Sequence, residues 1–273
     1  MYGINVNPVL PVRLEPSEKA EMLTQLLFGE LFSIIRVDEK WSFIRNNADS
    51  YEGWIDSKMI TVIDESEYLQ LSSHEPAQLF APTAGCFIRT KNEPVTLPAG
   101  SRLYAYDNES GTVSINNNIY AIPAEAIMKR ASQPASGHLV ASIAKSFLNA
   151  PYLWGGKTAF GIDCSGLVQL CFSICGIQLP RDACQQALEG DLVESLEGAQ
   201  TGDLAFFENN DGKITHVGIL LDNSTIIHAS GRVKIENVDT NGIIRHEIGT
   251  YSHRLSLIKR VILPPDRAVK LSY

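Results

Sequence analysis

The chain has 273 residues, 44% of them hydrophobic, and a formal net charge of −8. That length allows one to three domains with a sizeable core, and the acidic balance excludes a broad electrostatic grip on nucleic acid or anionic lipid. No apolar stretch approaches the length of a membrane span, and Met1-Tyr2-Gly3-Ile4-Asn5 has neither the basic start nor the apolar run of an export signal, so a cytoplasmic protein is expected.

Residues 1–65 divide into short β-rich runs, Leu31–Val37, Trp41–Arg45 and Gly53–Asp56 among them, separated by Gly, Asn and Asp. Many short strands in so few residues predict a small barrel. Residues 66–135 repeat the style, with Gly85–Arg89, Ser101–Tyr106 and Thr112–Ile115 strand-like and Pro94, Pro98 and Gly100 between them, and predict a second small barrel. Ala131–Gly137 is small, polar and marked by Pro134 and Gly137, which reads as a linker. A third domain, 138–263, opens with helical spacing at Leu139–Leu148 and a turn-rich Tyr152–Gly156. A helix is expected from Cys164 to Cys175, then strands at Asp203–Phe207, His216–Leu221 and Thr225–Ala229. Helices followed by an antiparallel sheet define an α+β domain.

Five cysteines, four of them between 164 and 184, do not make a disulfide framework, and no pair has zinc-knuckle spacing. No metal or cofactor is expected, and a reducing compartment fits.

The chemistry gathers at Asp163-Cys164-Ser165-Gly166. A thiol becomes a good nucleophile when it ionises, and a helix N-terminus and an imidazole both favour the thiolate. Gly161 and Asp163 break the chain just before the helix, so Cys164 has the first, and His216 and His228 are candidates for the second. Alone, Cys164 would read as the start of the buried stripe it shares with Cys171 and Cys175, and each histidine as an ordinary core or surface residue. Asp222-Asn223-Ser224 forms a three-residue hairpin loop. Pairing Leu221 with Thr225 then sets His228 opposite Gly218, with His216 as its diagonal neighbour on the same face. A two-residue loop would send the two rings to opposite faces. The expected relay runs from Cys164 to His216, with His228 orienting His216. His253 is expected to be structural.

Pro151–Gly156, Asp163–Gly166, Pro180-Arg181-Asp182, Gly202-Asp203-Leu204, His216-Val217-Gly218 and Ile227-His228-Ala229 together resemble the NlpC-type bacterial cell-wall cysteine peptidases over residues 138–263. The resemblance implies a papain-like catalytic domain, with Cys164 as nucleophile, His216 as base, His228 as orienting residue and Tyr152 as the tyrosine near the nucleophile. Arg13–Ser17, Leu27–Glu30 and Asp49–Trp54 resemble the SH3-like domain of dipeptidyl-peptidase VI-type members. The expected architecture is therefore α+β, a papain-like domain preceded by two small all-β SH3-like barrels.

The expected reaction, on the same resemblance, is hydrolysis of the γ-D-glutamyl–diamino acid bond in murein tripeptides or tetrapeptides with a free N-terminal L-alanine. Glu15, Tyr51 and Asp163 are the candidates to hold that ammonium. Trp154 is a candidate wall of the cleft, and Ser165 either binds substrate or caps the helix. Relatives often carry a hydroxyl residue after the Arg-Asp pair, where this chain has Ala183, which alters a substrate contact. Two other readings are a thioester-forming amidase or acyltransferase and a non-catalytic murein-peptide-binding protein. No oligomeric state is indicated.

Overall fold

In a computed structural model the described residues are 1–262, apart from 75, 82, 89–90, 116–117, 129–134 and 246–248. The first seven strands are β1 (Tyr2–Ile4), β2 (Val9–Arg13), β3 (Met22–Leu27), β4 (Leu31–Asp38), β5 (Trp41–Asn46), β6 (Glu52–Asp56) and β7 (Thr61–Ile63). They make one antiparallel sheet in the order β3-β2-β6-β5-β4-β1-β7. Strands β2 and β5 bury alternate residues, and Leu10, Val12, Phe32, Ile34, Ile44 and Ile55 meet in one core.

Helix α1 (Glu65–Ser72) follows, capped by Asp64, whose carboxylate accepts from the Glu67 N–H. No apolar period marks this helix, because it buries none of its residues. The cap, with Glu65 and Glu67 in the first turn, was the only local signal. Strands β8 (Ala77–Leu79), β9 (Thr83–Ile88), β10 (Glu93–Pro98), β11 (Arg102–Leu103), β12 (Thr112–Ile115), β13 (Asn118–Ala121) and β14 (Ile127–Met128) form a four-stranded and a three-stranded sheet. The strand expected at Ser101–Tyr106 stops after Leu103, because the chain turns at Tyr104–Ala105 with Ala105 at φ 49°. Arg89 and residues 131–134 of the expected linker lie outside the described residues. Ile4, Phe28, Leu31 and Ile63 share one apolar cluster with Leu79, Leu97, Leu103 and Tyr120, so packing runs continuously across residue 65.

The rest of the chain holds α2 (Gly137–Lys145), β15 (Lys157–Thr158), β16 (Gly161–Ile162), α3 (Cys164–Ile174), α4 (Ala183–Gln186), β17 (Asp191–Val193), β18 (Leu204–Glu208), β19 (Ile214–Leu220), β20 (Thr225–Ser230), β21 (Arg232–Asp239), β22 (Gly242–Arg245) and β23 (Thr250–Arg260). Strands β18 to β23 pair in the order β23-β18-β19-β20-β21-β22, and β22 also pairs with β23, which closes a six-stranded antiparallel barrel. The period of two divides its residues. Leu204, Phe206, Val217, Ile219 and Ile227 pack on Val140, Leu167, Val168, Cys171 and Phe172 of α2 and α3. Ala205, Phe207, Leu220, Ile226 and Val238 fill a separate cluster on the other face.

The β19–β20 hairpin has the register the loop length predicts. Ile219 pairs with Ile227 and Leu220 with Ile226, and the Leu221 N–H donates to the Thr225 carbonyl at 2.9 Å. His228 therefore stands opposite Gly218. A Cβ at Gly218 would press into Ile226 and the Cβ of His228, so glycine is what admits the ring there.

Candidate active site

Asp163 organises the start of α3. Its backbone is extended, and Oδ1 accepts from the Gly166 N–H at 2.7 Å, capping the helix on Cys164. Oδ2 accepts from the Gly155 N–H at 2.8 Å, fixing the preceding loop. Both oxygens also take the fork of Arg181, Nη1 to Oδ1 at 3.0 Å and Nη2 to Oδ2 at 2.6 Å. Arg181 is 2% exposed. Its Nη1 also donates to Ser165 Oγ at 2.8 Å and its Nε to Thr24 Oγ1 at 2.9 Å. Ser165 Oγ in turn donates to Asp163 Oδ1 at 3.3 Å. The helix cap is thus Asp163, and Ser165 belongs to the same buried ionic network.

The Cys164 thiol is almost fully buried, and burial is the main reason its pKa is pushed up to about 11, with the Asp163 charge adding to it. The backbone N–H groups of Val217 and Ser165 and the Arg181 charge act in the opposite sense. At neutral pH the thiol is protonated until a base takes its proton.

The candidate base lies among the histidines. His216 Nε2 and His228 Nδ1 are 2.8 Å apart with the rings nearly perpendicular, and His228 Nε2 is 2.8 Å from Glu236 Oε2. Glu236 is held down to about 2, chiefly by that hydrogen bond and secondarily by Lys234 Nζ at 2.9 Å, so it is a carboxylate and can only accept. His228 must then carry its proton on Nε2. Burial holds His228 below its usual pKa despite Glu236, so it is neutral and Nδ1 is an acceptor. His216 must therefore donate from Nε2. Burial first, then His253, His228 and Lys234, keep His216 well below the ordinary histidine value, so its Nδ1 bears a free lone pair. The chain of acceptors leaves one imidazole nitrogen able to receive a thiol proton.

A cleft of about 550 Å³ opens beside Cys164. Asp163, Cys164, Ser165, Arg181, Asp182, Ala183, Cys184, Ile214 and Thr215 line it from the catalytic side, and Glu21, Leu23, Tyr51 and Trp154 line the remainder. The N-terminal sheet is pinned at this end. Trp154 Nε1 donates to Glu21 Oε1 at 2.7 Å, and the Tyr51 hydroxyl donates to Asp182 at 3.1 Å. Burial, then Asp182, push the Tyr51 phenol far above its normal range, so it stays a donor. Gly155, at φ 77°, passes so close to the Met22 carbonyl of β3 that a Cβ would collide with it. Arg181 is neutralised by Asp163, and Glu21 and Asp182 leave this end of the cleft acidic.

Of the residues singled out in the sequence, Tyr51, Trp154, Asp163, Cys164 and Ser165 all line the cleft. Burial first, and then the negative charge of Cys164 once it is a thiolate, push the Tyr152 phenol up to about 12. Glu15 does not line the cleft. It is exposed in the β2–β3 connection, while Glu21, on the same connection, reaches the cleft through Trp154. Arg181 was visible only as part of a motif, and Glu236 and the ring of His253 beside His216 were not anticipated. Among the described residues, no cluster of three or more His, Cys, Asp or Glu side chains is placed to hold a metal ion.

Residues 149–251 match the NlpC/P60 family, and residues 12–60 match the bacterial dipeptidyl-peptidase SH3 domain. Dipeptidyl-peptidase 6 of Lysinibacillus sphaericus is 26% identical over 271 residues, covering 92% of this chain and 97% of its own. The γ-D-glutamyl-L-lysine dipeptidyl-peptidase of Bacillus cereus is 27% identical over 262 residues, covering 83% and 73%. The crystal structure of an NlpC/P60 family protein from Bacillus cereus superposes with a TM-score of 0.81 at 19% identity, over 96% of this chain and 99% of that one, which establishes the shared fold. The chain is thus a cysteine peptidase that carries an NlpC/P60 domain at residues 149–251 behind a bacterial dipeptidyl-peptidase SH3 domain at residues 12–60.

Proposed function

We propose that the chain hydrolyses the γ-D-glutamyl–diamino acid amide of murein peptides that begin with a free L-alanine, and that it acts on released fragments. The observation that carries this reading is the acidic end of the cleft, where Glu21 and Tyr51, from loops of the N-terminal sheet, line the same cavity as Asp163 and Asp182. A peptide ammonium is held by carboxylates and acceptors of this kind, which a blocked or glycan-linked terminus could not use. Relatives named γ-D-glutamyl-L-lysine dipeptidyl-peptidase support the bond.

In this reading His216 Nδ1 removes the Cys164 proton as sulfur attacks the γ-glutamyl carbonyl, giving a tetrahedral oxyanion near the first N–H groups of α3. The imidazolium so formed is stabilised through His228 by the Glu236 carboxylate. It returns the proton to the departing amine, which leaves a thioester. Water, deprotonated by the same nitrogen, releases the dipeptide and restores the thiol. The test is a digest of L-Ala-γ-D-Glu-diamino acid peptides, free and N-acetylated, by the wild-type chain and by Cys164→Ala. Release of L-Ala-D-Glu from the free peptide alone, abolished by the substitution, is the expected result. Turnover by Cys164→Ala, or equal cleavage of the acetylated peptide, would refute it. An added amine that captures the acyl group faster than water would instead favour a transferase.

A further inference from the structure

His216 is anchored at one nitrogen, and a ring held by a single hydrogen bond can still pivot about it. A second restraint lies on its face. The ring of His253 stacks on His216 with centroids 4.0 Å apart and planes 21° from parallel. His253 is itself fixed, with Nδ1 2.8 Å from Ser252 Oγ and its ring edge-on to Phe207 at 6.0 Å.

The strand that delivers this ring is irregular on both sides of it. The β22–β23 register slips between the pairs Ile243–His253 and Ile244–Tyr251, and the β18–β23 register slips between Phe206–Leu257 and Phe207–Leu255. Bulges turn a strand and re-aim its side chains. Two of them bracket His253, and between them the ring is set over the base from two strands away.

We infer that His253 is a positioning residue for His216: its stacked ring confines the base to the plane in which Nε2 meets His228 and Nδ1 is free for the thiol. This rests on the reading of Cys164 and His216 as nucleophile and base. The contact also has an electrostatic consequence. His216 is faced by His253 from β23, His228 from β20 and Lys234 from β21, each of which opposes its protonation when positively charged. His253 in turn faces His228, Glu236, Lys234 and Arg245. When His253 takes a proton in acid, its charge delays protonation of the ring stacked on it.

The experiment compares wild type, His253→Ala and His253→Phe by peptide kcat and KM, and by iodoacetamide alkylation of Cys164 as a function of pH. Loss of the stacked ring in His253→Ala is expected to lower kcat about tenfold or more with KM within about twofold. Phenylalanine restores the stack, so His253→Phe is expected to recover most of that loss. It has no proton to compete, so the acid limb of its alkylation profile moves to higher pH while the plateau holds. A purely structural role would leave that limb where it is. A fully active His253→Ala, or a His253→Phe with an unmoved limb, overturns the inference. Should the alanine variant not fold, the phenylalanine limb decides alone. If Cys164→Ala still turns over peptide, the peptidase mechanism fails separately, and alkylation still reports on His253.

Discussion

Arg181 Nε donates to Thr24 Oγ1 over 2.9 Å, while its two Nη groups hold Asp163 and Ser165, so one buried guanidinium joins β3 of the N-terminal sheet to the cap of the catalytic helix. Removing it would strand the Asp163 carboxylate in a site with almost no water. Arg181→Met is expected to cost about 3–5 kcal/mol, as for other buried pairs broken on one side. Arg181→Lys should recover only part of this, because a single ammonium cannot reproduce a planar fork reaching three side chains. Urea unfolding of the three proteins decides it, and a stable Arg181→Met would show that the pair holds nothing together.

Glu236 acts on His216 through two hydrogen bonds, by way of His228. Its carboxylate dictates which nitrogen of each imidazole carries the proton, so its loss frees both rings to adopt the wrong tautomer. Glu236→Ala is expected to lower kcat by about ten- to a hundredfold, part of what a general base supplies, and to leave KM nearly unchanged. Steady-state kinetics on the free peptide check this. A change confined to KM would mean that Glu236 shapes the cleft and not the base.

How far the site could be read from sequence depended on register. The three-residue loop at Asp222–Ser224 and the period of two were enough to set His228 opposite Gly218 and beside His216, because no irregularity interrupts that hairpin. Glu236 lay one hairpin further on. The single residue Gly231, at φ 72°, sets Ser230 against Arg232 and so Ile226 against Glu236, a turn too tight to infer without its conformation. His253 was out of reach for a stronger reason: two register slips on β23 break the alternation from which a facing residue is deduced. That Glu21 and not Glu15 lines the cleft was hidden in the same way. The β2–β3 ladder slips between Val12 and Arg13, and motif position alone does not tell which carboxylate of that connection turns toward Trp154.

Burial of three imidazoles makes stability depend on pH. His253 is lowered to about 4 by burial and its cationic neighbours, and His216 and His228 also lie below the usual 6.5. Between those values the unfolded chain binds protons that the folded chain refuses. Stability is therefore full above about pH 6.5 and is lost as pH falls toward about 4. Glu236 acts lower: its stabilising charge is present above the ordinary carboxylate range and disappears only as pH approaches about 2. Melting temperatures are expected to fall from about pH 7 to about pH 4.5. The slope should be shallower in His253→Phe, which has one fewer group to titrate. Identical slopes would mean that His253 is free to protonate in the folded chain.

The acidic end of the cleft gives the sharpest test of specificity. Glu21 Oε1 accepts from Trp154 Nε1, and the residue lines the cleft with its carboxylate. A peptide ammonium would exchange water for a charge-assisted hydrogen bond there, in the ground state and the transition state alike. Interactions made equally in both states appear in KM and not in kcat. Glu21→Gln keeps the shape and the indole bond but removes the charge, so KM for the free-amine peptide is expected to rise about tenfold with kcat unchanged. For an N-acetylated peptide, which has no ammonium to recognise, the same substitution should change the residual rate little. An equal loss on both peptides would mean that the Glu21 charge does not read the amine, and would leave that role to Asp182 and Tyr51.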